Sequence, residues 1–272
     1  MWIGSPLRGA FRLLSYLSVT LVLVPIYLLA MALRIRPVIR WMPVAYHRLV
    51  CFMLCIRVRG DGERSNVIPT LYVCNHVSYL DIEVLGGLIP GSFVAKAEVA
   101  TWPFFSTLAK AQRTIFIERS SGKTSRSRDE MMRRLNTGDN LMLFPEGTSS
   151  DGTRVLPFRT ALFGVAQLRR DEQPIAVQSV AIAYTRLDGI PLGRYWRPLF
   201  AWFGHPDLVP HLWQMVCLGE TEAVVTFFPP VDIDKLGDRK KLAEYCFRQV
   251  SSAVQAANSG RYELLPPQKK AA

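Results

Sequence analysis

The sequence predicts an α/β fold, a mixed or mostly parallel sheet covered by helices, with a membrane-anchoring helical segment at its N-terminus. Two patterns predict it. From about residue 55 onward, short apolar runs alternate with longer mixed segments, at the spacing of strands followed by helices. Before that point, residues 14–33 form an uninterrupted run without a single charge. Composition narrows the class further. Hydrophobic residues make up 49% of the 272-residue chain and charged residues 20%, which excludes a disordered protein. Five cysteines, an odd number, do not make a secreted disulfide framework. The formal net charge of +11 calls for an anionic partner.

The elements follow in order. Residues 14–33 are long enough to cross a hydrocarbon core of about 30 Å at about 1.5 Å per residue. Arg8 and Arg12 flank the run on one side, and Arg34, Arg36 and Arg40 on the other, so the positive-inside rule leaves its orientation open. A cleaved secretory signal is the alternative, with Ala30-Met31-Ala32 as its small-residue site. The run is long for that role, and a second apolar stretch follows soon after. That stretch, residues 38–56, carries Arg40, His47 and Arg48. It reads as a helix lying in the interface, its basic groups toward lipid phosphates. Both helices dipping into one leaflet and one true span fit equally.

The remainder divides into strands at 55–58, 71–73, 92–95, 114–117, 140–144, 175–184 and 224–228, with helices at 82–88, 104–111, 122–135, 161–168 and 239–256. The 122–135 helix is basic, with Met131, Met132 and Leu135 as its apolar side. Residues 187–219 are rich in Gly, Pro and Trp. So long an excursion either holds short helices or meets the bilayer edge. The chain thus divides into membrane-associated helices over 1–54, a catalytic domain over 55–263 and a disordered tail over 264–272.

Four segments carry the chemistry. In Asn75-His76-Val77-Ser78-Tyr79-Leu80-Asp81, a histidine precedes a carboxylate by five positions. A carboxylate that orients an imidazole makes a minimal general base. On one continuous helix the two would point about 140° apart, so they meet only if the chain turns first, and Ser78 is the expected N-cap of the helix that follows. Read alone, the pair also fits a capping Asp beside a surface His. The β-run ending at Ile117 delivers Arg119, either to an anion or to its neighbour Glu118. Phe144-Pro145-Glu146-Gly147-Thr148-Ser149 is a strand exit into a turn of small polar residues, a cradle for an anion or polyol or a plain surface turn. The fourth is the strand Val177-Gln178-Ser179-Val180. No P-loop, no G-x-S-x-G elbow and no metal-ligand spacing occurs. Cys51 and Cys55 read as packing, and Cys74, next to a buried strand, as inert. No nucleic-acid module is present.

These four blocks, in this order, resemble the glycerolipid acyltransferase family, whose bacterial member makes phosphatidic acid from lysophosphatidic acid. Phe93-Val94-Ala95-Lys96-Ala97-Glu98 is similar to the family's intervening segment, and the likeness runs from about residue 55 to 228. It implies that His76 deprotonates an acceptor hydroxyl, that Asp81 orients His76, and that no acyl-enzyme forms. Arg119, Glu146 and Gly147 would bind the acceptor's head, with Thr148 and Ser149 in the same turn. Lys96 and Arg159 are further anion contacts on charge alone. No cofactor is implied beyond the thioester co-substrate, acyl-carrier protein or acyl-CoA. The implied partners are a lipid membrane and a lysolipid, and the implied place is the bacterial inner membrane, with the catalytic domain facing the cytoplasm.

Three positions depart from the family pattern. Arg113 stands where the glycerophosphate enzymes usually carry Gly, Ser149 where they carry Arg, and Ser179 where they carry Pro. Arg113 is expected to replace the missing charge from another direction. The run from Phe144 through Phe158, with the stretch from Ala183 to Gly189, is closer to the branch that acylates lyso-ornithine lipid. Lysophosphatidic acid is the alternative acceptor, and a catalytically dead lipid-binding protein the alternative class.

Overall fold

The computed structural model describes residues 4–101, 105–117, 124–204 and 207–261. Helix α1 (Pro6–Ala32) is capped by Ser5, with Pro6 in its first turn, and runs through Pro25 without a break. Helix α2 (Arg36–Met53) follows. Then come β1 (Ile56–Asp61), β2 (Thr70–Cys74), α3 (Leu80–Gly86), β3 (Ser92–Lys96), α4 (Phe105–Ala111), β4 (Ile115–Ile117), α5 (Thr124–Asn136) and β5 (Leu141–Leu143). A 3-10 helix (Thr160–Gln167) leads to a small two-stranded ladder of β6 (Arg169–Arg170) and β7 (Gln173–Pro174), then to β8 (Ala176–Leu187). The segment 188–219 holds β9 (Ile190–Pro191), a 3-10 turn (Arg197–Leu199) and α6 (Leu208–Cys217), so the short-helix expectation holds there. β10 (Thr221–Phe227), α7 (Ile233–Leu236) and α8 (Arg239–Asn258) complete the order.

The main sheet runs β1-β10-β8-β2-β5-β3-β4, with β9 paired to β8. β8, β2, β5, β3 and β4 are mutually parallel, and β10 is antiparallel to β8. This is the mixed, mostly parallel sheet the sequence predicts. Alternation along each strand sends residues to opposite faces. Leu71, Val73, Leu141 and Leu143 pack on one face with α8 through Leu242, Cys246 and Val250. Tyr72, Cys74 and Met142 pack on the other with Val84 and Leu85 of α3 and Met215 of α6. Burial on both faces explains why the strands read as unbroken apolar runs. In α8 the buried positions recur three or four apart, from Leu242 to Ala257, after an Asp238 cap that accepts from the backbone N–H groups of Lys240 and Lys241.

Among the described residues α1 is the one helix long and apolar enough to cross a membrane. Its outer ridge of Leu7, Phe11, Leu14, Leu21, Val22 and Leu29 is exposed. Its flanking arginines differ from the expectation. Arg12 is buried and donates to the carbonyls of Val216 and Leu218, and Arg8 donates to Leu218. Both satisfy the free carbonyls at the C-terminal end of α6.

Helix α2 needs a similar correction. His47 is 4% exposed and its Nδ1 lies 2.7 Å from Glu83 Oε2 on α3. Arg48 Nε donates to Gly87 O at 2.7 Å. These two basic groups turn into the domain instead of toward lipid, because α3 offers them partners that a buried helix face would otherwise leave unpaired.

Candidate active site

Parallel strands place their C-terminal ends on one edge of a sheet, where α/β proteins build their sites. His76 and Asp81 follow β2, Lys96 ends β3, and Glu146 to Ser149 follow β5. β4 ends at Ile117, and Arg119 lies outside the described residues.

The chain turns before α3 begins, as the His-x4-Asp spacing demands. His76 Nδ1 lies 2.8 Å from Asp81 Oδ2. Asp81 is fully buried, while the His76 side chain is 21% exposed. The same Oδ2 accepts the backbone N–H groups of Val77 at 2.7 Å and Ser78 at 3.0 Å. Asp81, in the first turn of α3, thus braces the loop that precedes it, and the expected Ser78 cap is not made. Tyr79 occupies the N-cap position, and the buried Ser78 hydroxyl has no partner among the described residues. A short side chain at the first turn can reach two loop N–H groups and an imidazole at once, which a serine hydroxyl cannot. Since an ionised carboxylate is acceptor-only, Nδ1 carries the proton. The outward Nε2 is then a free lone pair.

Aromatic residues to which sequence reasoning gave no role complete the surroundings. Tyr184 of β8 donates to Asp81 Oδ1 at 2.9 Å. Burial and the adjacent Asp81 push its phenol well up, so it stays a donor. Phe144 stacks on the His76 ring with centroids 4.2 Å apart, and Phe93 stacks in turn on Phe144. Tyr79 bonds His211 of α6 at 2.9 Å and meets the Trp202 ring edge-on. Tyr79, Phe93 and Phe144 lie inside the quoted blocks, and Tyr184 is an isolated tyrosine in a long apolar strand.

The Glu146 turn is built differently from the expected head-group cradle. Glu146 is 2% exposed. Its Oε1 accepts the His76 backbone N–H and its Oε2 that of Leu156, both at 2.8 Å. The carboxyl group braces the His76 loop. Burial pushes it up to about 8, against the pull of these two N–H groups. Gly147 sits at φ +66, and a Cβ there would fall 2.9 Å from Arg159 Nε. Arg159 therefore lies over the turn, exposed, with no ion pair among the described residues. Thr148 is exposed at the rim. Ser149 Oγ donates to Trp202 O at 2.5 Å, tying the tryptophan loop to the site. Burial raises the Cys74 thiol well above its ordinary value, which disfavours a thiolate.

Arg113 is not brought to this edge. It precedes β4, at the opposite end of the sheet, and pairs with Asp139 at 3.0 Å. A residue at the start of a parallel strand cannot reach groups that follow the strand ends, so Arg113 does not stand in for the missing arginine.

An apolar cavity lies behind Phe93, the ring that stacks on Phe144. It is lined by Tyr79, Phe93 and Ala95 from the domain, Leu23 and Tyr27 from α1, and Leu108 from α4.

Comparisons with known proteins fit this geometry. Residues 55–183 match the family model described as Acyltransferase. The chain is similar to the "Lyso-ornithine lipid O-acyltransferase" of Brucella abortus (strain 2308), 44% identical over 226 residues, covering 82% of this chain and 85% of that one. The protein of the same description from Rhizobium meliloti (strain 1021) is 38% identical over 264 residues, covering 96% and 89%. The crystal structure of the 1-acyl-sn-glycerophosphate (LPA) acyltransferase PlsC from Thermotoga maritima shares the fold, with a TM-score of 0.67 at 20% identity over 92% of this chain and 95% of that one. With relatives this similar over most of their length, the chain belongs to the acyltransferase family and is an enzyme that transfers an acyl group to a lysolipid.

Proposed function

We propose that the acceptor is lyso-ornithine lipid and that His76 and Asp81 carry the transfer. Nε2 of His76 takes the proton of the acceptor hydroxyl, and the resulting oxygen attacks the carbonyl carbon of an acyl thioester. The tetrahedral intermediate collapses, the C–S bond breaks, and the thiolate leaves with the proton that His76 returns. Asp81 holds the imidazole and balances its transient positive charge. A thioester is already activated, so a positioned hydroxyl with a base supplies much of what is needed. The observation that carries the reading is the 2.8 Å His76–Asp81 bond, made by a fully buried carboxylate.

The relatives' descriptions support the acceptor, and the turn agrees with them. Ser149, where glycerophosphate enzymes usually carry an arginine, spends its hydrogen on Trp202 O. One exposed guanidinium, Arg159 over Gly147, suits the carboxylate of a zwitterionic amino-acid head. Lys96 and Thr148 stand at the same edge, and Arg119 is assigned to the head group on the family pattern. The donor is acyl-carrier protein or acyl-CoA, its acyl chain lying in the apolar cavity. The enzyme works on the inner membrane from the cytoplasmic side, where both donors are made.

The test is acyl transfer by membranes containing the protein, with labelled acyl-carrier protein or acyl-CoA and two acceptors in parallel, lyso-ornithine lipid and lysophosphatidic acid. His76→Ala is the control. Labelling of the amino-acid lipid, lost in the variant, is expected. Labelling of lysophosphatidic acid alone would reverse the acceptor assignment, and a fully active His76→Ala would remove the dyad.

A further inference from the structure

Behind the apolar cavity lies a second cavity of about 550 Å³. Arg36, Arg40 and Arg113 line it, together with Asp139 and Asn140. Tyr27, Pro43 and Gln112 line both hollows and form the wall between them.

This second cavity stands apart from the dyad. Asn140 precedes β5 and Arg113 precedes β4, whereas Phe144 and Glu146 follow β5. The four-residue step from Asn140 to Phe144 along an extended chain is about 13 Å. None of His76, Asp81 and Glu146 lines this cavity.

Its charge is unbalanced. Three guanidinium groups face one lining carboxylate, Asp139, and that carboxylate is engaged twice, by Arg113 and by Arg134, each at 3.0 Å. Arg36 and Arg40 form no ion pair among the described residues, and Arg40 rests over the Trp41 ring at 5.7 Å. Arg113 holds φ +61 as the left-handed residue that ends α4, its N–H bonding Lys110 O and the next N–H, of Thr114, bonding Ala109 O. The exposed guanidinium groups of Arg36 and Arg40, without an ion pair among the described residues and beside the paired Arg113, match the oxygens of a phosphate.

The surroundings say which phosphate. Exposed Leu33, Ile35 and Trp41 flank Arg36 and Arg40 along the chain. The arginines therefore sit where apolar surface gives way to charge, the level of a lipid head group. We propose that the cavity at Arg36, Arg40 and Arg113 is a binding site for the phosphodiester of an anionic membrane phospholipid, separate from the site of acyl transfer.

The test is native mass spectrometry of the full chain in a neutral detergent, titrated with phosphatidylglycerol, with diacylglycerol of the same chains and with inorganic phosphate. A saturable one-to-one phosphatidylglycerol adduct is expected, without a matching diacylglycerol adduct. The double variant Arg36→Gln/Arg40→Gln should weaken that adduct about tenfold or more, since two charge-assisted contacts are lost. Arg239→Gln/Lys240→Gln makes the same charge change at the far helix α8 and should leave it intact. Thermal unfolding checks that both variants fold. Equal loss in the two variants would show bulk attraction and overturn the site. Undiminished binding in the Arg36/Arg40 variant would do the same. Retention of inorganic phosphate but not of phosphatidylglycerol would overturn the lipid assignment. Because the readout is binding, failure here is distinguishable from failure of the acyl-transfer reading.

Discussion

The Tyr184 hydroxyl donates to Asp81 Oδ1 at 2.9 Å from a strand 103 residues away. The other oxygen of Asp81 takes the His76 imidazole and two backbone N–H groups. Four donors thus converge on one fully buried carboxylate, and its orientation is fixed from both sides. Tyr184→Phe removes one donor and keeps the ring stacked on Phe200, where the centroids are 5.5 Å apart. A hydrogen bond to a charged group contributes about 1.5–3 kcal/mol. The expected outcome is stability lowered by about that amount and kcat lowered about tenfold with KM unchanged. Steady-state kinetics and denaturant unfolding check it, and a variant with parent kcat would show that the phenol does not help to position Asp81.

Asp81→Asn tests the dyad more severely. The amide keeps one acceptor oxygen, so either Tyr184 loses its acceptor or His76, Val77 and Ser78 lose theirs together. The expected fall in kcat is about 10²–10⁴, the usual worth of an oriented general base. His76→Ala should fall as far, and the double variant hardly further, because groups that act as a unit are not additive. A double variant that multiplied the two losses would mean that the residues act independently.

Much of this arrangement was legible in the sequence because its signals are local. The alternation of apolar runs placed the seven strands of the main sheet's path, and the five-residue spacing required a turn between His76 and Asp81. What was not legible depends on contacts far along the chain. Tyr184 lies on a different strand from His76. Glu146 has a head-group chemistry, yet its two oxygens find backbone N–H groups at His76 and Leu156 that no pattern in Pro145–Ser149 announces. His47 and Arg48 look like lipid-facing charges until α3 supplies Glu83 and Gly87 O. Arg113 looked like a substitute charge because residue order does not say that the start and end of a parallel strand lie on opposite edges.

The bracing role of Glu146 makes a pH prediction. Its carboxyl is raised from the ordinary 4.5 to about 8 by burial. Between these values the folded protein holds a proton that the unfolded chain has released. Stability from this group is therefore full below about 4.5 and is lost as pH rises through about 8. Glu146→Gln cannot titrate, and its amide N–H₂ faces a backbone N–H, at a cost of about 1–3 kcal/mol. The melting temperature of the variant should be lower at pH 6 and should fall less steeply toward pH 9. Parallel melting profiles for the two proteins would assign the pH dependence elsewhere.

Gly147→Ala probes the turn from the other side. The left-handed φ of +66 costs a non-glycine residue about 1–2 kcal/mol. The new Cβ would also meet Arg159 at 2.9 Å and drive its guanidinium off the turn. If Arg159 holds the acceptor's carboxylate, KM for that lipid should rise about tenfold or more, with the donor's KM unchanged. Arg159→Gln should reproduce the KM change without loss of stability. An altered donor KM in either variant would place the guanidinium on the thioester instead.

Helix α1 yields a prediction about topology. It has 27 residues, about 40 Å at 1.5 Å per residue, enough to cross a core of about 30 Å. Yet both of its ends are fastened to the same domain. At the start, Ser5 N–H donates to Cys217 O at 2.9 Å and Arg12 to the α6 carbonyls. At the end, Tyr27 shares a cavity with Leu108 and Ala111 of α4, and α2 returns to α3 through the His47–Glu83 bond. A helix tied to one globular body at both ends cannot leave that body on one side of a bilayer while passing to the other. Its exposed ridge of leucines would instead lie in a single leaflet, with the domain held against the surface. Pro6 and Arg34 are exposed at the two ends, outside the apolar ridge. Introduced singly as cysteines in a Cys55→Ser background, both should react with a membrane-impermeant maleimide from the same face of sealed, oriented vesicles. Reaction from opposite faces would establish a true span and require the Arg12 contacts to break in the membrane.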